Sequence, residues 1–204
     1  ADILLPLAEM ATALKNDVTA LALIGELLAT LSYHDVPAPL LGRLTVRFSD
    51  AARVLYPPLE TPFPAPVDTH WQVGLRLGYL VDFSQPFVAD FIATMLSHHD
   101  QNRVAAKVYA ISPVDPALSA YFLAQGWQLI SVATFDEARA ARTIQADKLD
   151  ILVDVAAFGP YAKPGLYSCR PARVQLAFPG FTHPAGIGEL DYRLTDKVAD
   201  IDTS

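Results

Sequence analysis

A few side chains capable of acid–base chemistry follow the apolar stretches of this chain. His183 lies in a loop between Thr182 and Pro184, and an imidazole can act there as a general base near neutral pH. Asp82 follows the apolar run LRLGYLV and offers a carboxylate just before a predicted helix. Each residue also has a plainer interpretation, because a lone loop histidine is often incidental and an aspartate before a helix often caps it.

Other polar residues can likewise be interpreted either as ligand-binding residues or as residues that stabilise the local structure. Ser112 and Asp115 follow a second apolar run, and we favour Asp115 as a helix cap over a ligand contact. Arg170 and Arg173 can clamp a phosphate or carboxylate, or can tie their loop to a neighbouring carboxylate, and we favour the tie. Cys169 has no histidine beside it in sequence and is interpreted as a small buried residue.

The histidines do not form a metal-binding pattern. His98 and His99 end a predicted helix and are interpreted as a solvated helix end, while His34 and His70 are isolated in loops. Further ligands at suitable spacing are missing, so we predict no metal. The first strand-to-helix turn, GYLVDFSQPF, also lacks the G-x-G-x-x-G phosphate loop, which argues against a dehydrogenase.

The composition limits the class of protein and its partners. Hydrophobic residues make up 52% of the 204 residues and charged residues 18%, which is typical of a globular chain. A net charge of −7 with scattered Lys and Arg argues against nucleic-acid binding. The single cysteine fits a reducing compartment, and no apolar run approaches the roughly 20 residues of a membrane span. We therefore predict a cytoplasmic protein, and the absence of an initiator Met suggests part of a longer chain.

The chain divides into three regions by its sequence pattern. Residues 1–56 carry three amphipathic helical patterns, with Asp17 expected to cap the second helix and Pro39 to lie in the first turn of the third. Residues 57–70 form a proline-rich linker, which neither a helix nor a central strand can cross. Residues 71–204 alternate between apolar strands and helices, which predicts an α/β domain.

The predicted strands of the third region are almost entirely apolar, which indicates parallel strands buried on both faces. Right-handed crossovers then give a Rossmann-like, doubly wound sheet, whose ligands lie beyond the carboxyl ends of the strands. The predicted strands are 75–81, 104–112, 127–132, 150–158, 174–180 and a sixth beginning at 191; the predicted helices are 86–99, 115–126 and 134–148. The candidate site is therefore expected at 81–87, 111–116, 156–164 and 178–188.

Four motifs in this region resemble the O-linked N-acetylglucosamine transferase family, the SPINDLY-like group. They are LRLGYLVDF, KVYAISPVD, ILVDVAAF and RPARVQLAFPGFTHPAGIGELDY, in the order and spacing of the family between about Leu75 and Asp196. The last motif is the most specific, since its Arg-Pro-Ala start, Gln175, Gly180, Gly186 and the Asp-Tyr at its end fall on family positions without a gap.

The resemblance implies the N-terminal lobe of a two-lobed glycosyltransferase of GT-B type, preceded by a small helical segment. It implies hexosyl or N-acetylglucosaminyl transfer from a UDP-sugar, as substrate and with no separate cofactor, to a protein or peptide acceptor. A C-terminal lobe, or a partner chain, is expected to complete the donor pocket. The residues implied as catalytic are His183 and Asp82; those implied as substrate-binding are Gln85, Pro86, Ser112, Pro113, Thr182 and Gly186.

Several site-facing positions depart from the family pattern. The first turn is one residue shorter and has Gln85 before Pro86 where the family usually has a histidine, while His183 replaces a family glycine. The strands are retained although these polar residues differ, which is consistent with an altered specificity or with lost activity. The alternative function is a catalytically inactive, glycosyltransferase-like module that binds a protein. An unrelated nucleotide-binding Rossmann domain is a third, weaker hypothesis.

Overall fold

The computed structural model describes residues 3–31, 34, 36–60, 74–156, 161–178 and 189–194. The helices in these ranges are α1 Leu4–Thr12, α2 Asp17–Leu31, α3 Ala38–Leu55, α4 Pro86–Ser97, α5 Pro116–Ala124, α6 Glu137–Ala146 and α7 Pro164–Ser168. The strands are β1 Leu75–Val81, β2 Val104–Ala110, β3 Gln128–Ser131, β4 Ile151–Asp154, β5 Val174–Ala177 and β6 Tyr192–Arg193.

The six strands form one sheet in the order β3-β2-β1-β4-β5-β6, and every pair of neighbours is parallel. This order confirms the predicted α/β, Rossmann-like sheet. β1 is central, since Leu80 is in register with Tyr109 of β2 on one side and with Asp154 of β4 on the other. The chain order reverses between β1 and β4, which places the topological switch point there.

The two faces of the sheet bury separate hydrophobic clusters because side chains alternate along each strand. On one face, Tyr79 and Val81 pack with Ile92 of α4 and Phe122 of α5. On the other face, Leu80 belongs to a cluster that extends through α6 and α7 into the three N-terminal helices. The apolar strands are therefore covered on both sides, as a parallel sheet requires.

The N-terminal helices form a layer that is joined to the lobe through α3 and α7. Tyr56, directly after α3, lies across Gly165 so closely that a Cβ at Gly165 would collide with its ring. The backbone N–H of Leu59 donates to the carbonyl of Cys169 at 3.0 Å. The Arg53 guanidinium pairs with the Glu189 carboxylate, which is only 6% exposed. The layer thus shares its core and its polar contacts with the lobe.

The predictions for the N-termini of α3 and α5 are confirmed, whereas the prediction for α2 is wrong. Asp115 Oδ1 accepts from the N–H of Ala117 at 2.7 Å, which confirms Asp115 as the cap of α5. Pro39 lies in the first turn of α3, as predicted. The expectation that Asp17 caps α2 is wrong, because Asn16 Oδ1 accepts from Thr19 N at 2.9 Å and α2 begins at Asp17. Asp17 instead pairs with Arg47 at 2.8 Å.

The structure differs from the predicted elements mainly after β4. The strand ends at Asp154, four residues early, because Asp154 Oδ1 accepts from the N–H of Ala156 and turns the chain. The five-residue helix α7 was not predicted. Its sequence contains a proline and a glycine, which are typical of loops. Of the linker predicted over 57–70, the structure describes residues 57–60, so the domain boundaries stay predictions.

Candidate functional site

The candidate site lies at the carboxyl ends of β1, β2 and β4, where the chain order reverses. In parallel sheets of this kind, ligands bind in the crevice that opens at this point. Three polar residues lie at the ends of these strands or just after them, and all are nearly or fully buried: Asp82, Ser112 and Asp154 are 8%, 0% and 1% exposed. Their side chains set the shape of the turns that border the crevice.

Asp82 directly follows β1 and organises the first turn. Its Oδ1 accepts from the N–H of Ser84 at 2.8 Å. The N-cap of α4 is Gln85, whose side chain makes no capping hydrogen bond. The simple interpretation of Asp82 as the α4 cap is therefore wrong in detail: the carboxylate stabilises the turn before the helix. A catalytic role for Asp82 stays a prediction.

Ser112 connects the first two turns of the site. Its Oγ accepts from the N–H of Phe83 at 2.7 Å, and the N–H of Ile111 donates to the carbonyl of Val81 at 2.9 Å. Ser112 is completely buried, so its hydroxyl fixes the relative position of the turns after β1 and β2. This contact is structural in the described residues, and substrate binding by Ser112 stays a prediction.

Two of the remaining predicted residues near these turns, Gln85 and Pro113, are exposed. Gln85 directly precedes α4, its side chain makes no capping hydrogen bond, and substrate binding by Gln85 stays a prediction. Pro86 occupies the first position of α4, where a missing N–H costs nothing. Pro113 is exposed next to the buried Ser112. The structure thus brings Asp82, Gln85 and Ser112 to one edge of the sheet.

The sequence analysis missed Asp154, a buried carboxylate at the same edge. Asp154 follows the apolar residues of β4 and hydrogen-bonds with the hydroxyl of Tyr167 in α7. Burial and the Asp154 charge raise the pKa of Tyr167 well above its usual range. Asp154 could have been recognised from the sequence, because it is an acidic residue at the end of the otherwise apolar strand ILVD.

Thr182, His183 and Gly186 lie outside the described residues, and their predicted roles stay predictions. The contacts that flank them are described. Arg170 Nη1 donates to Asp191 Oδ1 at 3.0 Å and to the carbonyl of Glu189 at 2.8 Å. Arg170 therefore ties its loop to a neighbouring carboxylate, which was the favoured interpretation of this residue.

The adjacent histidines lie at the other edge of the sheet, between α4 and β2. His98 is exposed, in agreement with a solvated helix end, and its Nδ1 is 2.8 Å from the carbonyl of Thr94. His99 is partly buried, stacks on Tyr79, and its Nε2 is 2.7 Å from the Tyr79 hydroxyl. Burial lowers the pKa of His99. The contact of His99 with Tyr79 is therefore part of the packing of the lobe, and the interpretation of His99 as a solvated residue is wrong.

Within the described residues, no group of three or more His, Cys, Asp or Glu side chains is placed to hold a metal ion. Across the same ranges, no helix combines the length and apolarity needed to cross a membrane. The absence of a metal from the reaction stays a prediction.

The parallel six-stranded sheet, with its switch point between β1 and β4, is the fold with which known proteins are compared. A family model described as Glycosyl transferase family 41 matches residues 59–202, more than two thirds of the chain. The chain therefore belongs to glycosyl transferase family 41.

Relatives with related names support this membership. The chain is 33% identical over 131 residues to a protein of Arabidopsis thaliana named probable UDP-N-acetylglucosamine–peptide N-acetylglucosaminyltransferase SPINDLY, and 32% identical to the Hordeum vulgare protein of the same name. Each match covers 62% of this chain and 14% of the relative. The chain therefore spans a small part of the length of these relatives.

A solved structure has the same fold. It is a mutant of the Thermobaculum terrenum O-GlcNAc transferase, which matches 88% of this chain and 36% of its own with a TM-score of 0.69. The sequence identity is 23%, so the likeness supports the fold alone.

Proposed function

We propose that this chain forms the first lobe of an enzyme that transfers N-acetylglucosamine from a UDP-sugar to a protein or peptide acceptor. The observation that carries the proposal is the family match over residues 59–202, whose strands form the parallel sheet described above. The relatives' names specify a UDP-N-acetylglucosamine donor and a peptide acceptor. Family membership does not favour the alternative of an inactive protein-binding module.

In the proposed reaction, an acceptor oxygen attacks the anomeric carbon and the bond from that carbon to the diphosphate breaks. The acceptor proton has to pass to a base, and the diphosphate charge has to be stabilised as it develops. Asp82 and His183 are the proposed bases. Gln85 and the turn after β2 are proposed to contact substrate, together with Thr182 and Gly186. A second lobe is proposed to supply most of the donor pocket.

The first experiment is calorimetric titration of the intact protein with UDP-N-acetylglucosamine, followed by transfer of the labelled sugar to peptide acceptors. Saturable heat and labelled peptide support the proposal. An absence of heat for every UDP-sugar would refute the transferase assignment.

We also propose a cytoplasmic location, which fluorescence microscopy of the tagged protein tests directly.

The second experiment concerns the proposed bases. Asp82→Asn keeps the oxygen that accepts from Ser84 but removes the proton acceptor, so kcat is expected to fall by at least about tenfold. Asp90→Asn, at an exposed position of α4, is the matched control and should leave kcat unchanged. His183→Ala tests the second base. Unchanged turnover in either variant would remove that residue from the mechanism.

A further inference from the structure

The sheet ends on one side at β3, and the outer backbone groups of this strand are available for pairing. Within the described residues, β3 pairs with β2 alone. The N–H of Val132, just after β3, donates to the carbonyl of Ala110 at 2.9 Å, so its backbone faces β2. Backbone groups alternate between the two sides of a strand, so those of Ile130 face β2 as well, whereas those of Leu129 and Ser131 face outward. Outward N–H and C=O groups of this kind are a template for another strand.

β3 lacks the residues that usually prevent such pairing. Charged side chains and prolines protect the edge strands of many proteins, but β3 consists of Gln, Leu, Ile and Ser. Its two apolar residues, Leu129 and Ile130, are only partly buried. Because β3 has four residues, a second strand can form few hydrogen bonds with it. A stable partner therefore has to contact the surface beside β3 as well.

The helix beside β3, α5, has an exposed apolar surface. It contains no charged residue, and a helix that is apolar on all sides is normally buried. Phe122 is fully buried against the sheet, whereas Leu123 is 74% exposed. Consecutive residues lie about 100° apart around a helix axis, so Leu123 points sideways from Phe122. In a right-handed β2–α5–β3 unit, that side is the outer edge of β3. Leu123 and the outer edge of β3 thus adjoin one another.

The charge and the symmetry of this surface favour a second copy of the chain as its partner. From Val108 to Phe135 the sequence contains one charged residue, Asp115, although 18% of the chain is charged and its net charge is −7. Two copies of such an acidic chain repel one another, and the repulsion is least where both surfaces are uncharged.

Antiparallel pairing of two β3 strands also satisfies the outward backbone groups of both copies. With Ile130 opposite Ile130 of the second copy, Leu129 of each copy lies opposite Ser131 of the other. These residues face outward, so each such pair exchanges two hydrogen bonds. The arrangement is two-fold symmetric and closed, as is usual for a dimer of identical chains.

We infer that α5 and β3 form a dimerisation surface, through which two copies of this chain join their sheets by antiparallel pairing of β3. The two α5 helices then lie side by side on the same face of the joined sheet, with the Leu123 side chains packed between them. The hydrogen bonds of β3 set the register, and the apolar surface of α5 supplies the buried area. This inference does not depend on the proposed sugar transfer.

The first test is sedimentation equilibrium of the intact protein over a wide range of concentrations. We expect a reversible dimer whose dissociation constant rises at least about tenfold in Leu123→Glu, because two carboxylates would meet across the symmetry axis. Val54→Glu is the matched control, since Val54 of α3 is apolar and 67% exposed, and it should dimerise like the unmodified protein. A monomer at every concentration, or a dimer that Leu123→Glu does not weaken, would overturn the inference.

The second test uses cysteine cross-linking to measure the register of the two strands. In Ile130→Cys the new thiols lie opposite each other, with Cα atoms about 4.5 Å apart, a separation that a disulfide spans. In Gln128→Cys, at a more exposed position of the same strand, they would be about 14 Å apart along the strands. We expect a disulfide-linked dimer from Ile130→Cys on mild oxidation and none from Gln128→Cys or the unmodified protein, whose Cys169 is buried. Equal cross-linking of the two variants, or none by Ile130→Cys when circular dichroism shows it folded, would refute the proposed pairing.

Discussion

The Ser112 hydroxyl holds the backbone of Phe83 at 2.7 Å, across the turns that follow two neighbouring strands. Ser112 is fully buried, while Phe83 packs edge-to-face on Phe122 of α5. The hydrogen bond therefore couples the shape of the first site turn to the packing behind it.

Ser112→Ala is expected to lower the free energy of unfolding by about 1–2 kcal/mol, because the Phe83 N–H loses its acceptor in a part-buried position. In the sugar-transfer assay, kcat/KM should fall as well, since Asp82 and Gln85 lie in the turn that is released. Urea unfolding and steady-state kinetics measure the two effects. Ser131→Ala, at the exposed end of β3, is the control and should change neither.

Glu137 is expected to make stability depend on pH. Burial, the largest cause, raises the pKa of Glu137 from its usual 4.5 to about 7; Asp136 adds to the rise, while Lys163 and the N–H groups of Leu166 and Gly165 oppose it. The folded state then binds the proton more tightly than the unfolded state. This contribution is fully present below about pH 4.5 and is lost as the pH rises to about 7.

Glu137→Gln should remove that dependence. A shift from 4.5 to about 7 corresponds to about 3 kcal/mol of lost stability at higher pH. The variant is therefore expected to be the more stable protein at pH 8 and to differ little at pH 4.5. Denaturant unfolding at a series of pH values measures this, and parallel curves for the two proteins would contradict it. Glu26→Gln, at an exposed position, should keep the original profile.

The pair of Arg53 and Glu189 is expected to contribute more to stability than other ion pairs of the helical layer. Glu189 is buried, so Arg53→Ala leaves its carboxylate without the guanidinium and should cost about 1–3 kcal/mol. Arg43→Ala breaks an exposed pair with Glu9 and should cost under about 1 kcal/mol. A double-mutant cycle with Glu189→Gln measures the coupling. Additive effects would show that the pair contributes nothing of its own.

Gly165 and Gly42 offer a matched comparison of two helical glycines. Gly165→Ala should destabilise the protein by about 1–3 kcal/mol, because the new Cβ collides with the Tyr56 ring. Gly42→Ala in α3 meets no atom within 4 Å and should stabilise by about 0.5–1 kcal/mol through helix propensity. Thermal unfolding measures both changes in stability: the melting temperature should fall for Gly165→Ala and rise for Gly42→Ala. If Tyr56→Ala does not relieve the cost at Gly165, the collision is not its cause.

The sheet could be predicted from the sequence because its strands are continuous apolar runs separated by helical patterns. β1 begins and ends at the predicted residues, Leu75 and Val81. The cap of α2 could not be predicted, because Asn16 and Asp17 are both favourable N-cap residues. Asn16 is the cap in the structure, and Asp17 forms an ion pair with Arg47, a contact that the sequence does not reveal.

The candidate site was only partly predictable. The ends of β1 and β2 can be predicted from their apolar residues, and Asp82 and Ser112 follow these ends. That the two residues lie at the same edge of the sheet could therefore be inferred from the sequence. Glu137 could not be recognised from the sequence as a buried carboxylate, because acidic residues are common in the first turn of a helix. Its burial results from α7, a helix too short to give a periodic signal.

The contact of Arg53 with Glu189 has a consequence for the order of folding. The two residues are 136 positions apart, and the hydrogen bond between Leu59 and Cys169 also spans most of the chain. During synthesis, the helical layer leaves the ribosome long before its partners in the lobe, with apolar residues of α3 still uncovered. Such non-local contacts slow folding and prolong the exposure of apolar surface. We therefore expect the nascent helices to depend on a chaperone until the lobe residues that cover them have been synthesised.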